Sequence, residues 1–190
     1  MGLCGECICR GETVTGIREI RSVNIRIARD FPGIAKGIRS TESILILGAP
    51  GWGKTTLLRD LARQIAQEET VCVIDQRGEI FPEGMLLGKR MDVMSGASKK
   101  EGIPMALRSM GPDWIVLDEI TAIEDTEAVI QATGCGVRLL ATAHASSFQD
   151  LHRRPIYRSL VTNGIFGTFV ILNRDKTYRV ERNIVCTTNG

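Results

Sequence analysis

Two spacings of apolar residues alternate along most of the chain. From residue 43 onward, short continuous apolar runs are followed by segments in which apolar residues recur about every three to four positions. The continuous runs are typical of strands buried on both faces, and the longer spacing is typical of amphipathic helices. Repetition of strand, loop and helix predicts an α/β fold with a mostly parallel sheet covered by crossover helices.

The periodic segments give the positions of the main elements. Strands are predicted at residues 44–47, 71–74, 114–117 and 137–142. Helices are predicted at residues 55–66, 104–110 and 125–133, the last ended by Gly134. Residues 166–172 and 177–181 are expected to form a closing hairpin around a polar turn. Residues 76–100 have no clear period and are predicted to be a loop with short elements.

The first forty residues have a different pattern. Residues 3–20 alternate loosely around Arg10-Gly11-Glu12-Thr13, which predicts a small hairpin that needs another element to pack on. Residues 21–40 carry several arginines before Phe31-Pro32-Gly33 interrupts the pattern. We therefore predict a hairpin and basic connector over residues 1–40 and the main α/β domain over residues 41–190.

Composition and charge restrict the possible partners. The 190 residues are 43% hydrophobic and 24% charged, which is typical of a globular protein. The formal net charge is only +2, so bulk electrostatics do not favour binding to nucleic acid or to an anionic membrane. No apolar run approaches the roughly 18 residues of a membrane helix, and no secretion signal is recognisable at the start. We expect a cytoplasmic protein that does not insert into a membrane.

The six cysteines predict neither disulfides nor a metal site. Three of them lie in strand-like segments and are expected to be small buried apolar residues in a reducing compartment: Cys72, Cys135 and Cys186. The other three are closely spaced near the start: Cys4, Cys7 and Cys9. They lack a second cysteine pair or a histidine at ligand spacing, so structural zinc is not favoured.

A glycine-rich loop joins the first predicted strand of the main domain to its first helix. It consists of Gly48, Ala49, Pro50, Gly51, Trp52, Gly53, Lys54, Thr55 and Thr56. In this context the pattern Gly-x4-Gly-Lys-Thr is typical of a phosphate-binding P-loop, whose backbone N–H groups surround the phosphates. Lys54 is expected to neutralise the outer phosphates, and Thr55 to offer its hydroxyl to Mg²⁺. The sequence therefore predicts an ATP-binding P-loop NTPase with a RecA-like core.

A second apolar strand ends in two carboxylates, Asp118 and Glu119. Parallel strands end at the same edge of a sheet, so both groups are expected to lie near the P-loop. Asp118 suits the coordination shell of Mg²⁺, and Glu119 suits orientation of an attacking water. A glutamate directly after the metal aspartate favours hydrolysis over transfer to a bound acceptor, because transfer must keep water out.

Other polar residues follow the neighbouring strands. Asp75 or Glu79 could share the activation of water, although a simple polar loop explains them equally well. His144 could contact a γ-phosphate and report its loss. Arg108, and likewise Arg90, could stabilise transferred charge or could be exposed basic side chains. A group of arginines near the start could reach a nucleotide of a neighbouring subunit or form a solvated face: Arg18, Arg21, Arg26 and Arg29.

Four sequence blocks occur in order: the P-loop, Asp75-x-Arg77-x-Glu79, the segment from Ala106 to Glu119, and Ala141-Thr142-Ala143-His144. With these blocks the chain resembles the secretion-type ATPases, which power type II and type IV secretion systems and pili. Residues 22–29 and 75–80 make it similar to the stage III sporulation AA family within that group. The resemblance extends from about residue 5 to residue 170.

The resemblance implies roles for the four blocks, known as Walker A, Asp box, Walker B and His box. It implies Lys54 and Thr55 for phosphate and Mg²⁺, Glu79 in the Asp box, Glu119 for catalysis and His144 for sensing. It also implies a homo-oligomeric ring, often hexameric, that energises membrane-associated secretion or channel proteins on the mother-cell side of a spore former. Residues 1–40 would then be the remnant of a larger N-terminal region.

Three functions therefore stay open. The first is a Mg-dependent ATPase motor subunit of a secretion- or channel-like complex during sporulation. The second is an ATP-binding oligomeric scaffold with little turnover. The third is a nucleic-acid motor, since fold does not fix function, although the near-neutral charge is unfavourable for it. A GTPase is not favoured, because the Asn-Lys-x-Asp guanine motif is absent from the sequence.

Overall fold

The computed structural model describes residues 2–25 and 27–182, which form a hairpin and a larger α/β unit. The hairpin consists of β1 (Gly2–Arg10) and β2 (Thr13–Asn24), paired antiparallel. The main sheet has seven strands: β3 (Ile44–Leu47), β4 (Val71–Asp75), β5 (Met91–Ser95), β6 (Trp114–Glu119), β7 (Arg138–Ala143), β8 (Thr168–Leu172) and β9 (Tyr178–Arg182). Their order is β5-β4-β6-β7-β3-β8-β9. All neighbours are parallel except β9, which runs antiparallel to β8.

In the part of the chain that the structure describes, five helices accompany the sheet: α1 (Lys54–Ile65), α2 (Lys99–Ser109), α3 (Ile123–Gly134), α4 (Phe148–Arg153) and α5 (Pro155–Thr162). Side chains of β3 alternate between two apolar layers, because successive residues of a strand point to opposite faces. Ile44 and Ile46 pack in the layer that contains Leu58 of α1. Leu45 and Leu47 pack in the opposite layer, with residues of α3 and α5. This two-sided burial explains the continuous apolar run, and the predicted mostly parallel α/β fold is confirmed.

The N-terminal hairpin is present but extends to Asn24, four residues beyond the predicted end. Its apolar side chains stay largely exposed, with 56% exposure at both Val14 and Ile20. The expectation that the hairpin packs on another element is therefore not met within the described residues. An ion pair between Arg18 and Glu6 lies across the two strands.

The segment predicted as a loop over residues 76–100 contains the edge strand β5 and the start of α2. The helix begins five residues before the predicted position, because Ser98 caps it by accepting the N–H of Glu101. Glu101 in turn approaches the Ser98 hydroxyl, as in a capping box. Pro104 therefore lies inside the helix. The short helices α4 and α5 were also not predicted from the pattern.

The cysteines only partly follow the expectation of burial. Cys72 is buried in β4, where burial raises the pKa of its thiol to about 11. Cys135 is exposed, which corrects the prediction, because it follows the last turn of α3 rather than lying in a strand. Cys186 lies outside the described residues. Within residues 2–25 and 27–182, no helix combines the length and apolar character needed to cross a membrane.

Candidate nucleotide-binding site

A cleft of about 1170 Å³ opens at the edge of the sheet where the parallel strands end. Parallel α/β sheets bind ligands at this edge. The cleft is lined by most of the side chains predicted to carry chemistry: Lys54, Thr55, Glu79, Asp118, Glu119 and His144. The P-loop contributes residues 50–56 to its wall, and Gly48 and Ala49 lie directly behind Lys54. The topology thus brings distant sequence blocks to one place.

The P-loop has the backbone needed to bind an anion. Gly51 and Gly53 have φ angles of 76° and 102°, in the left-handed region that favours glycine. Helix α1 begins at Lys54, so N–H groups of its first turn are available to a ligand in the cleft. A side chain at Gly48 would be crowded, because its Cβ would lie 3.2 Å from the Cβ of Leu172. These glycines shape the loop that the sequence predicted.

Lys54 is folded back onto the loop. Its Nζ donates to the carbonyl oxygen of Gly48 at 2.8 Å and to that of Ala49 at 3.2 Å. Burial lowers the pKa of Lys54, while the nearby carboxylates Glu119 and Asp118 act in the opposite direction. A partly desolvated ammonium interacts more strongly with an anion than a fully solvated one does. Lys54 is thus a buried cation next to a helix N-terminus.

Glu119 and His144 form a pair at the ends of adjacent strands β6 and β7. The distance from His144 Nε2 to Glu119 Oε2 is 2.7 Å, and the two side chains are 35% and 27% exposed. Tyr157 lies behind this pair and donates its hydroxyl to the carbonyl oxygen of Ile120 at 2.8 Å. Burial, and secondarily the charge of Glu119, raises the pKa of Tyr157, which keeps it a neutral donor. The backbone just after Glu119 is therefore held in place.

Asp75 has a structural position rather than one open to the cleft. Its side chain is 1% exposed and accepts the backbone N–H groups of Glu79, Ile80 and Phe81, each at 2.9 Å. A carboxylate occupied by these bonds is not available to activate water. This corrects the expectation that Asp75 could share that role and leaves Glu79, on the loop that Asp75 holds, in the cleft wall.

Replacing Asp75 with asparagine is expected to destabilise the fold by about 2–4 kcal/mol, because at least one buried N–H loses its acceptor. Urea unfolding followed by circular dichroism would measure this. Asp92 on the neighbouring strand β5 is exposed, so Asp92→Asn is the matched control and should change the free energy of unfolding by about 0.5 kcal/mol or less. Equal effects of the two variants would show that the three bonds do not stabilise the loop.

Arg59 is a buried cation of α1 that the sequence pattern did not reveal. It is 2% exposed and donates to the carbonyl oxygens of Ile80 and, at 3.1 Å, Glu79. It also donates to the carbonyl oxygen of Arg29 in the connector at 2.9 Å. One side chain of the P-loop helix therefore joins two walls of the cleft. The sequence signal for its burial was its position between Leu58 and Leu61, which lie on the buried face of α1.

Further polar side chains of α1 bind the connector to this helix. The Asp60 carboxylate accepts the N–H groups of Gly33 at 2.9 Å and Ala35 at 2.8 Å. Arg63 pairs with Asp30 at 2.5 Å, and its guanidinium holds the pKa of Asp30 below its ordinary value. Apolar connector residues consequently face the cleft beside Trp52 and Tyr178: Ile27, Phe31 and Ile34.

Lys99 is a second cation that sequence reasoning missed. Its side chain is 8% exposed, lines the cleft and lies 3.7 Å from the carboxylate of Asp125. Asp125 also accepts the backbone N–H groups of Thr121 and Ala122, both at 3.3 Å. Lys99 thus joins the start of α2 to the loop that follows Glu119. The sequence signal for its position was Ser98, which caps α2 and so places Lys99 in the first turn of the helix.

Arg108 lies away from the cleft. It is exposed near the C-terminal end of α2 and lines a separate shallow surface. Because α2 starts at the cleft with Lys99, nine residues of helix carry Arg108 roughly 13 Å along the axis. Arg108 is thus distant from a nucleotide bound by the same chain, and of the two roles that the sequence leaves open its position fits the exposed basic side chain. Among the connector arginines, Arg29 lines the cleft, and Arg26 lies outside the described residues.

The fold, with its P-loop cleft at the edge of the sheet, is that of the secretion-type ATPases, and the solved structures that share it include the following two. The pilus retraction motor PilT with bound ADP superimposes with a TM-score of 0.56, at 21% identity, over 80% of this chain and 50% of that chain. The VirB11 ATPase of the Brucella suis type IV secretion system, in complex with sulphate, gives a TM-score of 0.57 at 19% identity, over 74% of this chain and 47% of that one.

The chain belongs to the family described as sporulation stage III, protein AA, whose sequence pattern matches residues 1–185. Stage III sporulation protein AA of Bacillus subtilis is 36% identical over an alignment of 215 residues, which covers all of this chain and 70% of that relative. The predicted family resemblance is confirmed. This chain spans about half the length of the two solved chains.

Proposed function

We propose that this protein is a Mg-dependent ATPase, a motor subunit that energises a secretion- or channel-like complex during sporulation. The observation that carries the proposal is the meeting of the P-loop lysine Lys54 with the Glu119–His144 pair in one cleft. A phosphate-binding loop beside an oriented carboxylate is suited to attack of water on a terminal phosphate. Membership of the sporulation family and the fold shared with secretion ATPases support the biological role.

The cleft has a polar and an apolar part that match the two ends of ATP. The polyphosphate would lie on the backbone N–H groups of the P-loop and beside Lys54. The purine base would lie among the apolar connector residues and the rings of Trp52 and Tyr178, where aromatic contact is favourable. Because the connector is bonded to α1, the base and the phosphates are held by one continuous frame.

The oxygen donors of the cleft fit a magnesium ion. Thr55 on the P-loop helix and Asp118 at the end of β6 both line it, and a hydroxyl with a carboxylate is a donor set that Mg²⁺ prefers. When bound, the metal would neutralise charge on the phosphates. Thr55 and Asp118 would position it, and Lys54 would supply the remaining positive charge.

Glu119 is assigned to orient the attacking water and accept its proton. His144 holds the Glu119 carboxylate through Nε2 and, at the end of β7, is placed to respond when the terminal phosphate leaves. Glu79 is a second carboxylate of the cleft wall, and its backbone is fixed by Asp75 and Arg59. We assign Glu79 to the hydrogen-bond network around the water.

Hydrolysis should require the metal, and this is the experiment that tests the proposed activity. Phosphate release from ATP is expected to fall by about 100-fold or more in excess EDTA and to return when Mg²⁺ is restored, because the metal provides several kcal/mol of charge stabilisation. The protein in EDTA should keep its circular dichroism spectrum, which is the control for unfolding. Equal phosphate release with and without the metal would contradict the proposal.

The working form would be a homo-oligomeric ring, hexameric as in the family resemblance, at the cytoplasmic face of a membrane-associated secretion or channel complex on the mother-cell side. The exposed apolar side chains of the β1–β2 hairpin are compatible with contacts to neighbouring chains. An ATP-binding scaffold with little turnover is the second candidate. Both candidates bind ATP at the P-loop, and they differ in whether phosphate is then released.

A further inference from the structure

A second lysine is bonded to the P-loop by its side chain. Lys176 lies in the turn between β8 and β9, and its Nζ donates to the carbonyl oxygen of Gly51 at 2.7 Å. Strand β8 is the parallel neighbour of β3, so the turn beyond it reaches the edge where the P-loop begins. Lys176 lines the same cleft as Lys54. Its ammonium has three N–H donors, and Gly51 uses one of them.

The turn holds Lys176 in a backbone conformation that side chains rarely adopt. Its φ angle is 73°, in the left-handed region where glycine is favoured. The Asp175 carboxylate accepts both the N–H and the hydroxyl of Thr177, at 3.0 and 2.6 Å. The side chain of Asn173 donates to the same hydroxyl at 2.9 Å, and the Lys176 N–H bonds to the carbonyl of Asn173. Such conformations persist where surrounding contacts enforce them, and they cluster at ligand sites.

We propose that Lys176 is a second phosphate ligand, which contacts the polyphosphate of a nucleotide bound at the P-loop of the same chain. This inference rests on the proposed nucleotide site. The two N–H donors not used by Gly51 are available to phosphate oxygens at the mouth of the loop. The polyphosphate is negatively charged and the ammonium of Lys176 is exposed, so the two groups attract each other. The sheet does not have to move for this contact to form.

A purely structural role for Lys176 is the alternative, in which the side chain only braces the Gly51 carbonyl. The two roles differ in whether they require the positive charge of Lys176: phosphate binding does, and bracing the Gly51 carbonyl does not. Lys176→Gln keeps an N–H donor for the carbonyl but removes the cation, whereas Lys176→Arg keeps both. Lys176→Gly removes the side chain and relieves the backbone strain, so it should fold at least as stably as the wild type.

The test is the affinity for Mg-ATP and Mg-ADP, measured by isothermal titration calorimetry alongside thermal melting. Lys176→Gln and Lys176→Gly are expected to lose about tenfold or more in affinity without a fall in melting temperature, and Lys176→Arg to stay within about threefold of the wild type in affinity. Arg174→Ala is the matched control, since Arg174 is exposed on the same turn but does not line the cleft.

The outcomes separate this inference from the proposed function. If the wild type binds nucleotide and Lys176→Gln binds equally well, the phosphate-ligand role is overturned while the nucleotide site stands. If the wild type binds neither nucleotide, the site itself is wrong and this inference is overturned with it. Loss of affinity in the glutamine and glycine variants but not in the arginine variant supports the phosphate contact.

Discussion

Replacing Lys54 with alanine is expected to weaken ATP binding by about 100-fold or more. The Lys54 ammonium is buried against the P-loop backbone, and removal of charged hydrogen bonds to phosphate costs about 3 kcal/mol. Each 1.4 kcal/mol corresponds to about a tenfold change in affinity. The loss is measured by calorimetric titration of the purified variant with Mg-ATP.

An exposed lysine provides the control for this loss. Lys36 lies in the connector outside the cleft, so Lys36→Ala should bind ATP as the wild type does. Both variants should keep the wild-type circular dichroism spectrum. If Lys54→Ala binds as tightly as Lys36→Ala, the P-loop is not the phosphate site.

Replacing Glu119 with glutamine is expected to lower the rate of ATP hydrolysis by about 100-fold or more while nucleotide affinity stays within about threefold. Glutamine has the shape of glutamate and can still bond to His144, but it cannot accept a proton from water. A well-placed general base typically raises a reaction rate 10²–10⁴-fold, so its removal should lower the hydrolysis rate by about 100-fold or more. Single-turnover phosphate release and equilibrium binding, measured separately, test the two halves of the statement.

Glu124→Gln is the matched control for this substitution, because Glu124 is exposed in the first turn of α3, five residues further along the chain. It should hydrolyse ATP at the wild-type rate. Equal loss of binding and turnover in Glu119→Gln would contradict the assignment of Glu119 to chemistry rather than to binding.

The fold could be predicted wherever local pattern and burial agree. Strand β3 is buried on both faces, so its continuous apolar run is an unambiguous signal, and the P-loop glycines mark its end. Strand β5 was missed because it is an edge strand with a partly exposed, mixed sequence. Helix α2 was shortened because its first turn is polar and its proline falls in the middle. Local pattern therefore finds the centre of the sheet more reliably than its margin.

The cleft residues likewise divide into those that the sequence pattern could predict and those that it could not. Residues at strand ends, such as Glu119 and His144, could be predicted because parallel topology brings strand ends together. Asp75 also lies at a strand end, but the direction of its carboxylate depends on the backbone of the next six residues. The contacts of Arg59 and Lys176 join segments distant in sequence, and no local spacing predicts them.

Arg108 shows the limit of placing a residue by its helix alone. Its position shortly before the acidic strand suggested proximity to the nucleotide. A crossover helix, however, returns the chain to the opposite edge of a parallel sheet, so residues near its C-terminal end lie far from the strand ends. An arginine that acts on a nucleotide in this cleft could come from Arg29 of the connector or Arg77 of the loop after β4, which both line it, or from a neighbouring chain.

The most direct test of the proposed motor is steady-state phosphate release from the purified protein with Mg-ATP, measured over a series of protein concentrations. We predict release whose rate per chain rises with concentration, as chains assemble and complete shared sites, and which is absent from Glu119→Gln. Tight ATP binding without phosphate release at any concentration would contradict the motor and favour the nucleotide-binding scaffold.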